Sequence, residues 1–136
     1  MLKGKLALAY TAGILDGEGC ISAYKTKAKR PNYQMYVNVS STDEWLARWL
    51  QMQYGGHAGV IPRHGNQRDL WRWNIYGKKA QEFLTLILPY LQLKRTEAEL
   101  AIQFQEAKSN KKSPESLALL EANRILISKM NQNKER

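Results

Sequence analysis

Cysteine occurs once in this chain of 136 residues, at Cys20, so an internal disulfide is excluded and a reducing compartment is expected. With only two histidines beside that cysteine, a Cys/His zinc site is excluded as well. No stretch approaches the run of about 18 apolar residues that a membrane span needs. The first residues lack a signal peptide's charged start, apolar stretch and cleavage site, so a protein that is not secreted is expected. Acid is also in short supply. Twelve Asp+Glu stand against 21 Lys+Arg, a net charge of +9. Such an excess says little about fold, but it favours a polyanionic partner, nucleic acid ahead of a membrane surface. A uniformly solvated basic surface is the plainer reading.

What is present is ordinary globular material, 43% apolar and 24% charged. The length suits a single domain, 1–136, with a real core. Residues 5–16 (KLALAYTAGILD) predict a helix. Leu6, Tyr10 and Ile14 share one side, and Ala9, Ala12, Gly13 and Asp16 share a second side nearly bare of bulk. Gly17 and Gly19 are expected to end that helix. Residues 20–26 and 33–40 predict strands, the second alternating Met35, Val37 and Val39 with Gln34, Tyr36, Asn38 and Ser40. Ser41 and Glu44 form an S-x-x-E capping box ahead of the helix EWLARWLQMQY, which Gly55 and Gly56 close. A second strand pair is expected over 58–63 and 70–76, joined by the turn HGNQRD. Ala80, Phe83, Leu84, Ile87 and Leu88 mark another helix, stopped by Pro89. Residues 96–107 read as helical, and Ser113 with Pro114 opens a last helix reaching about residue 130. The order α-β-β-α-β-β-α with C-terminal helices describes an α+β fold with an antiparallel sheet.

The stretch GILDGEGCI, residues 13–21, places Asp16 and Glu18 among glycines where the first helix ends. Carboxylates there oppose the helix dipole, at a few tenths of a kcal/mol. A divalent cation would offset that cost, because Mg²⁺ and Ca²⁺ take oxygen ligands and often keep several waters. The Gly17 carbonyl could turn toward the same ion. One carboxylate is a poor magnesium site alone. The bare face at Ala12 and Gly13 would let a second copy of the helix approach closely, and a two-fold dimer would bring two copies of Glu18 together. Paired carboxylates with metal suit phosphodiester hydrolysis.

Residues 11–19, TAGILDGEG, resemble the nine-residue signature of the LAGLIDADG homing endonucleases. Ala12, Gly13, Asp16 and Gly19 match, Glu18 is the second acid, and Thr11 replaces the leading leucine. The strand pair, helix and strand pair that follow keep the family's order. ILPYLQLKR, residues 87–95, resembles the stretch leading to the family's active-site lysine. The resemblance covers about residues 6–105. It implies a curved antiparallel sheet lying in the major groove of double-stranded DNA. It also implies a homodimer formed through the motif helix, acting in a prokaryotic cytoplasm or an organelle. Glu18 would be the metal-binding acid with Gly17 donating its carbonyl, while Asp16, Gly13 and Ala12 would be structural. Lys94 would lie near the scissile phosphate. Ser41 or Thr42 falls where relatives position water, although the capping box explains Ser41 as well. Mg²⁺ is the implied cofactor, with Mn²⁺ as a substitute and Ca²⁺ supporting binding without cleavage.

The outward strand positions agree independently. Major-groove reading needs paired donors and acceptors, Arg or Lys toward guanine and Asn or Gln toward adenine. The first strand pair offers Ser22, Tyr24, Gln34, Tyr36, Asn38 and Ser40. The second offers Arg63, Arg72, Asn74 and Tyr76, with Asn66, Gln67 and Arg68 at the turn. Lys25, Lys27, Lys29 and Arg30 suit phosphates better than bases. Any one-sided sheet has a polar outer face, but these faces hold almost no Asp or Glu. Trp71 and Trp73 are most simply core. The competing readings are a non-catalytic DNA-binding module, which would not need Glu18, an intron RNA maturase of the same family, and, more distantly, a structural protein.

Overall fold

Alternation of buried and outward residues organises the molecule. The computed structural model describes residues 3–27, 32–109 and 114–134. Helix α1 (Gly4–Glu18) leads into β1 (Gly19–Lys25) and β2 (Tyr33–Ser41). Then come α2 (Glu44–Tyr54), β3 (His57–Ile61), β4 (Leu70–Tyr76), α3 (Gly77–Ile87), a 3-10 turn at Leu88–Tyr90, α4 (Arg95–Ser109) and α5 (Pro114–Lys134). The order is the expected one, and every boundary that moves does so by a few residues. Lys29, Arg30 and Ser113 lie outside the described residues.

The strands form one antiparallel sheet in the order β1-β2-β4-β3. Ile21, Ala23, Met35, Val37, Val39, Trp73 and Ile75 point to the helical side and are buried. They share a core with Leu15, Leu50, Leu84, Ile87, Leu91 and Phe104 from the helices. Trp73 is fully buried and donates its indole N–H to the Gly55 carbonyl at 2.8 Å, which confirms it as core. Gly56 has a positive φ of 85°, and a Cβ there would overlap the Asn74 carbonyl oxygen, so the α2–β3 turn requires glycine. Helix α5 packs along β1, an edge strand, and the Asn131 side-chain amide donates to the Ile21 carbonyl at 2.9 Å. That contact satisfies an edge group which would otherwise be open to another strand.

Four expectations need correction. Helix α1 runs to Glu18, so Gly17 lies inside its last turn and Glu18 is its final residue. Gly19 follows in an extended conformation, φ −91°, rather than a left-handed cap. It is glycine for space: a Cβ would overlap the Leu15 side chain and sit 2.9 Å from its carbonyl oxygen. The capping box does not form. Asp43 occupies the N-cap of α2 without a side-chain cap bond, and the Ser41 hydroxyl instead accepts the Asp43 N–H at 3.0 Å. Strand β3 ends at Ile61, so Arg63 belongs to the connection, where its Nε donates to the Arg68 carbonyl at 2.7 Å. The small face of α1 is divided: Ala12 is fully buried against the rest of the chain, while Ala9 and Gly13 face solvent.

Candidate functional site

At the C-terminus of α1 the last carbonyls have no partner within the helix, and the chain meets this end with the segment between the 3-10 turn and α4. The Asp16 carboxylate accepts three backbone N–H groups there, from Gln92 at 2.8 Å, Leu93 at 3.1 Å and Lys94 at 2.9 Å. Lys94 also returns its ammonium to the Asp16 carbonyl at 2.8 Å. The structure therefore brings together two sequence-predicted residues 78 positions apart. Because both of its carboxylate oxygens are occupied, Asp16 acts as a buttress between α1 and α4.

Glu18, one residue beyond Gly17, has the opposite setting. Its side chain is exposed and makes no hydrogen bond or ion pair to another described residue. The Gly17 carbonyl belongs to the unpaired last turn. One free carboxylate and one free carbonyl suit a hard cation that keeps most of its waters, such as Mg²⁺. Among the described residues no group of three His, Cys, Asp or Glu could hold a metal ion. The predicted Ser41 lies in the β2–α2 turn, where its hydroxyl accepts one N–H and keeps its own proton. It pairs with Trp71, over whose ring the Arg48 guanidinium sits at 5.3 Å.

The exposed face of α1 carries Leu6, Tyr10, Gly13 and Gly17 at helical steps of four, three and four. Leu6 is 69% exposed and Tyr10 41%. Nothing in the chain lies within 4 Å of a Cβ built on Gly13 or Gly17. Packing within the chain thus gives no reason for either glycine, although Gly13 costs about 1 kcal/mol relative to alanine in the helix interior.

On the outer face of the sheet the predicted readers fall into register. Ser40 is paired with Arg72, Asn38 with Asn74, and Tyr36 with Tyr76; Ser22 pairs with Tyr36, and Tyr24 with Gln34. The Arg72 Nε donates to the Ser40 hydroxyl at 3.0 Å, which holds the guanidinium in place. None of the outward positions on these four strands is Asp or Glu. Asn66, Gln67 and Arg68 are exposed on the β3–β4 connection, and Lys27 is exposed after β1. Lys25 sits beside the Tyr33 ring, its ammonium 5.6 Å from the centroid.

The sequence reading missed two residues at this face. His57 points outward opposite Asn74, and extending the β3 alternation by one residue would have found it. Beside it the missing side chain of Gly59 leaves a depression of about 210 Å³ bordered by Arg72 and Asn74. Lys108 of α4 donates to the Gln34 amide oxygen at 3.1 Å, a tertiary contact with no local signal. At the same end the Tyr33 hydroxyl donates to Glu121, which also pairs with Arg124. Those two hydrogen bonds, Arg124's first, hold the Glu121 carboxyl down to about 2, while burial and Glu121 raise the Tyr33 phenol.

No family model matches the chain. It is 30% identical over 119 residues to DNA endonuclease I-CvuI of Chlorella vulgaris, covering 83% of this chain and 72% of that protein. It is 28% identical over 113 residues to DNA endonuclease I-CreI of Chlamydomonas reinhardtii, covering 79% and 68%. Its structure is similar to that of I-CvuI bound to uncleaved I-CreI target DNA in 2 mM Mg, with TM-score 0.78 and 26% identity over 91% of this chain and 81% of that one. The fold is also that of the archaeal intron-encoded homing endonuclease I-Vdi141I in complex with DNA, TM-score 0.76 at 11% identity, covering 93% and 85%. Family-level identity, a shared fold and the TAGILDGEG signature at the end of α1 converge: the chain belongs to the LAGLIDADG homing endonucleases.

Proposed function

We propose that the chain is a site-specific homing endonuclease that makes a metal-dependent staggered double-strand cut in a long, pseudo-palindromic DNA target as a homodimer. The observation that carries this reading is the division of labour at the motif: Asp16 is saturated by backbone N–H groups while Glu18 stands free beside it. A non-catalytic DNA-binding module needs the outer sheet face but has no use for such an acid.

Glu18 and the Gly17 carbonyl would hold Mg²⁺, for which Mn²⁺ would substitute and with which Ca²⁺ would compete, supporting binding without cutting. When bound, such an ion activates water and stabilises the leaving oxygen of a phosphodiester. Lys94 is tied to the Asp16 carbonyl at the same helix end, and its positive charge would stabilise the phosphate as it develops negative charge. Asp16 fixes the segment carrying Lys94. Ser41 would remain the water-positioning residue, since accepting the Asp43 N–H leaves its own O–H free to donate.

The exposed Leu6, Tyr10, Gly13 and Gly17 face would pack on its own copy across a two-fold axis, bringing one Glu18 to each DNA strand. The outer sheet face would lie in the major groove with Arg72 toward guanine and Asn38 and Asn74 toward adenine. Lys25, Lys27, Lys29 and Arg30 would hold backbone. The protein needs no zinc in this reading, acts as the one domain 1–136, and works inside the cell that harbours its target. No described helix is long and apolar enough to cross a membrane.

The test is plasmid DNA carrying the coding gene's uninterrupted insertion site. The wild type is expected to cut it in Mg²⁺ and to bind it in Ca²⁺, and Glu18→Gln to bind without cutting. Full cutting by Glu18→Gln, or joint loss of binding and cutting, overturns the assignment.

A further inference from the structure

The outward face of the sheet is not uniform. Nearest the Glu18 end lies the Ser40–Arg72 level, and the next level pairs Asn38 with Asn74. The level beyond that pairs Tyr36 with Tyr76, and Tyr24 lies diagonal to it. The three tyrosine rings form a continuous stripe across β1, β2 and β4. Tyr24 and Tyr36 meet edge to face with centroids 5.8 Å apart, and Tyr36 and Tyr76 lie 6.0 Å apart at a tilt. Cross-strand aromatic pairs stabilise a sheet, but that does not require the stripe to remain open. Tyr24 is 39% exposed and Tyr76 48%, and no hydroxyl of the three has a hydrogen-bond partner among the described residues.

We propose that this stripe reads thymine 5-methyl groups, so that each half-site carries a thymine-rich segment outside the purines read by Arg72, Asn38 and Asn74. The inference rests on the DNA-reading function proposed above and deepens it. The occupant follows from chemistry. The face is free of acid and belongs to a chain of charge +9, which fits a polyanion. Among the four bases only thymine presents an apolar group in the major groove. Ring edges and faces bury a methyl without leaving a polar group unpaired, whereas the Asn and Arg levels offer donors and acceptors. The tyrosine level lies two residues beyond the asparagine level, about 7 Å at ~3.3 Å per residue, which is roughly two base pairs of duplex.

The experiment uses the full chain in Ca²⁺ and two duplex libraries, one with thymidine and one with deoxyuridine throughout. The thymidine library is expected to enrich thymines about two base pairs outside the Asn- and Arg-read purines, and the deoxyuridine library to lose that enrichment alone. Replacing those thymidines by deoxyuridine in an enriched duplex should weaken binding about fourfold per buried methyl. Tyr36→Phe and Tyr76→Phe should keep the discrimination, because they keep the ring. Tyr76→Ser, at the exposed end of the stripe, should abolish it at its own base pair. Equal binding of thymidine and deoxyuridine duplexes, or loss of discrimination in the Phe variants, overturns the inference while leaving DNA reading intact. Failure of both libraries to enrich any sequence overturns both readings.

Discussion

On the inner side of the α1 terminus, Asp16 accepts three backbone N–H groups and its carbonyl accepts the Lys94 ammonium. On the outer side, Glu18 is the last residue of the helix, exposed and without a hydrogen bond or ion pair to a described residue. The two acids have the same charge and stand two positions apart, so chemistry alone does not separate them. Their difference comes from what the chain brings up from 78 residues away. One acid joins α1 to the segment ahead of α4, and the other is left exposed.

Glu18→Gln should give the largest effect. Gln keeps the shape but lacks the charge that balances a cation. Cleavage in Mg²⁺ is expected to fall by about a thousandfold, the scale of the several kcal/mol that a metal contributes to transition-state charge. The melting temperature should hardly move. Gly13→Leu attacks the outer side differently. The position has open space in the single chain, so the fold should tolerate leucine and gain helix propensity of under about 1 kcal/mol. Dimerisation should nevertheless be lost, and cleavage with it. A wild type that sediments as a monomer and still cuts both strands would remove the pairing of α1 helices.

Asp16→Ala should reverse the Glu18 pattern. Loss of a charged acceptor for three N–H groups should lower stability by about 2 kcal/mol, read as an earlier denaturant midpoint at unchanged slope. Asp16→Asn should be milder. If Asp16→Ala leaves stability intact and abolishes cutting alone, the two acids share one role and the comparison fails. The smallest effect belongs to a third acid, Glu121, held at about 2 by the Arg124 guanidinium and the Tyr33 hydroxyl. Its folded value lies below the ordinary 4.5, so its contribution is present above about 4.5 and is lost as pH falls toward about 2. The side chain is 37% exposed, and screening keeps the contribution under about 1 kcal/mol. Acid titration of melting temperature should show a slightly steeper decline for the wild type than for Glu121→Gln.

The strands were legible because their two faces meet different surroundings. Met35, Val37 and Val39 are buried while Gln34, Asn38 and Ser40 look outward, and period two records that difference directly. Helix α1 was legible as a helix but not in its orientation. Its bulky Leu6 and Tyr10 are exposed, and its small Ala7, Thr11 and Ala12 are buried on the side that meets β2, α3 and the Tyr54 hydroxyl of α2. The S-x-x-E pattern at Ser41 misled for a local reason: a hydroxyl can satisfy the N–H two residues ahead as readily as one at a helix start. At the candidate site, signature spacing singled out Glu18, Asp16 and Lys94, of which the structure joins Asp16 and Lys94. The clamp joining them, the tether from Lys108 to Gln34 and the stripe of tyrosines depend on tertiary packing, which no window along the chain contains.

The bond between Asp16 and the segment at 92–94 also has a temporal meaning. It closes a loop of more than seventy residues, and closure entropy must be overcome before such a contact stabilises anything. During synthesis the motif helix and the whole sheet emerge from the ribosome before residue 94 does. The clamp on the helix end is therefore among the last parts the chain can assemble, together with Phe104, Leu120 and Ile127, which close the core beneath the sheet.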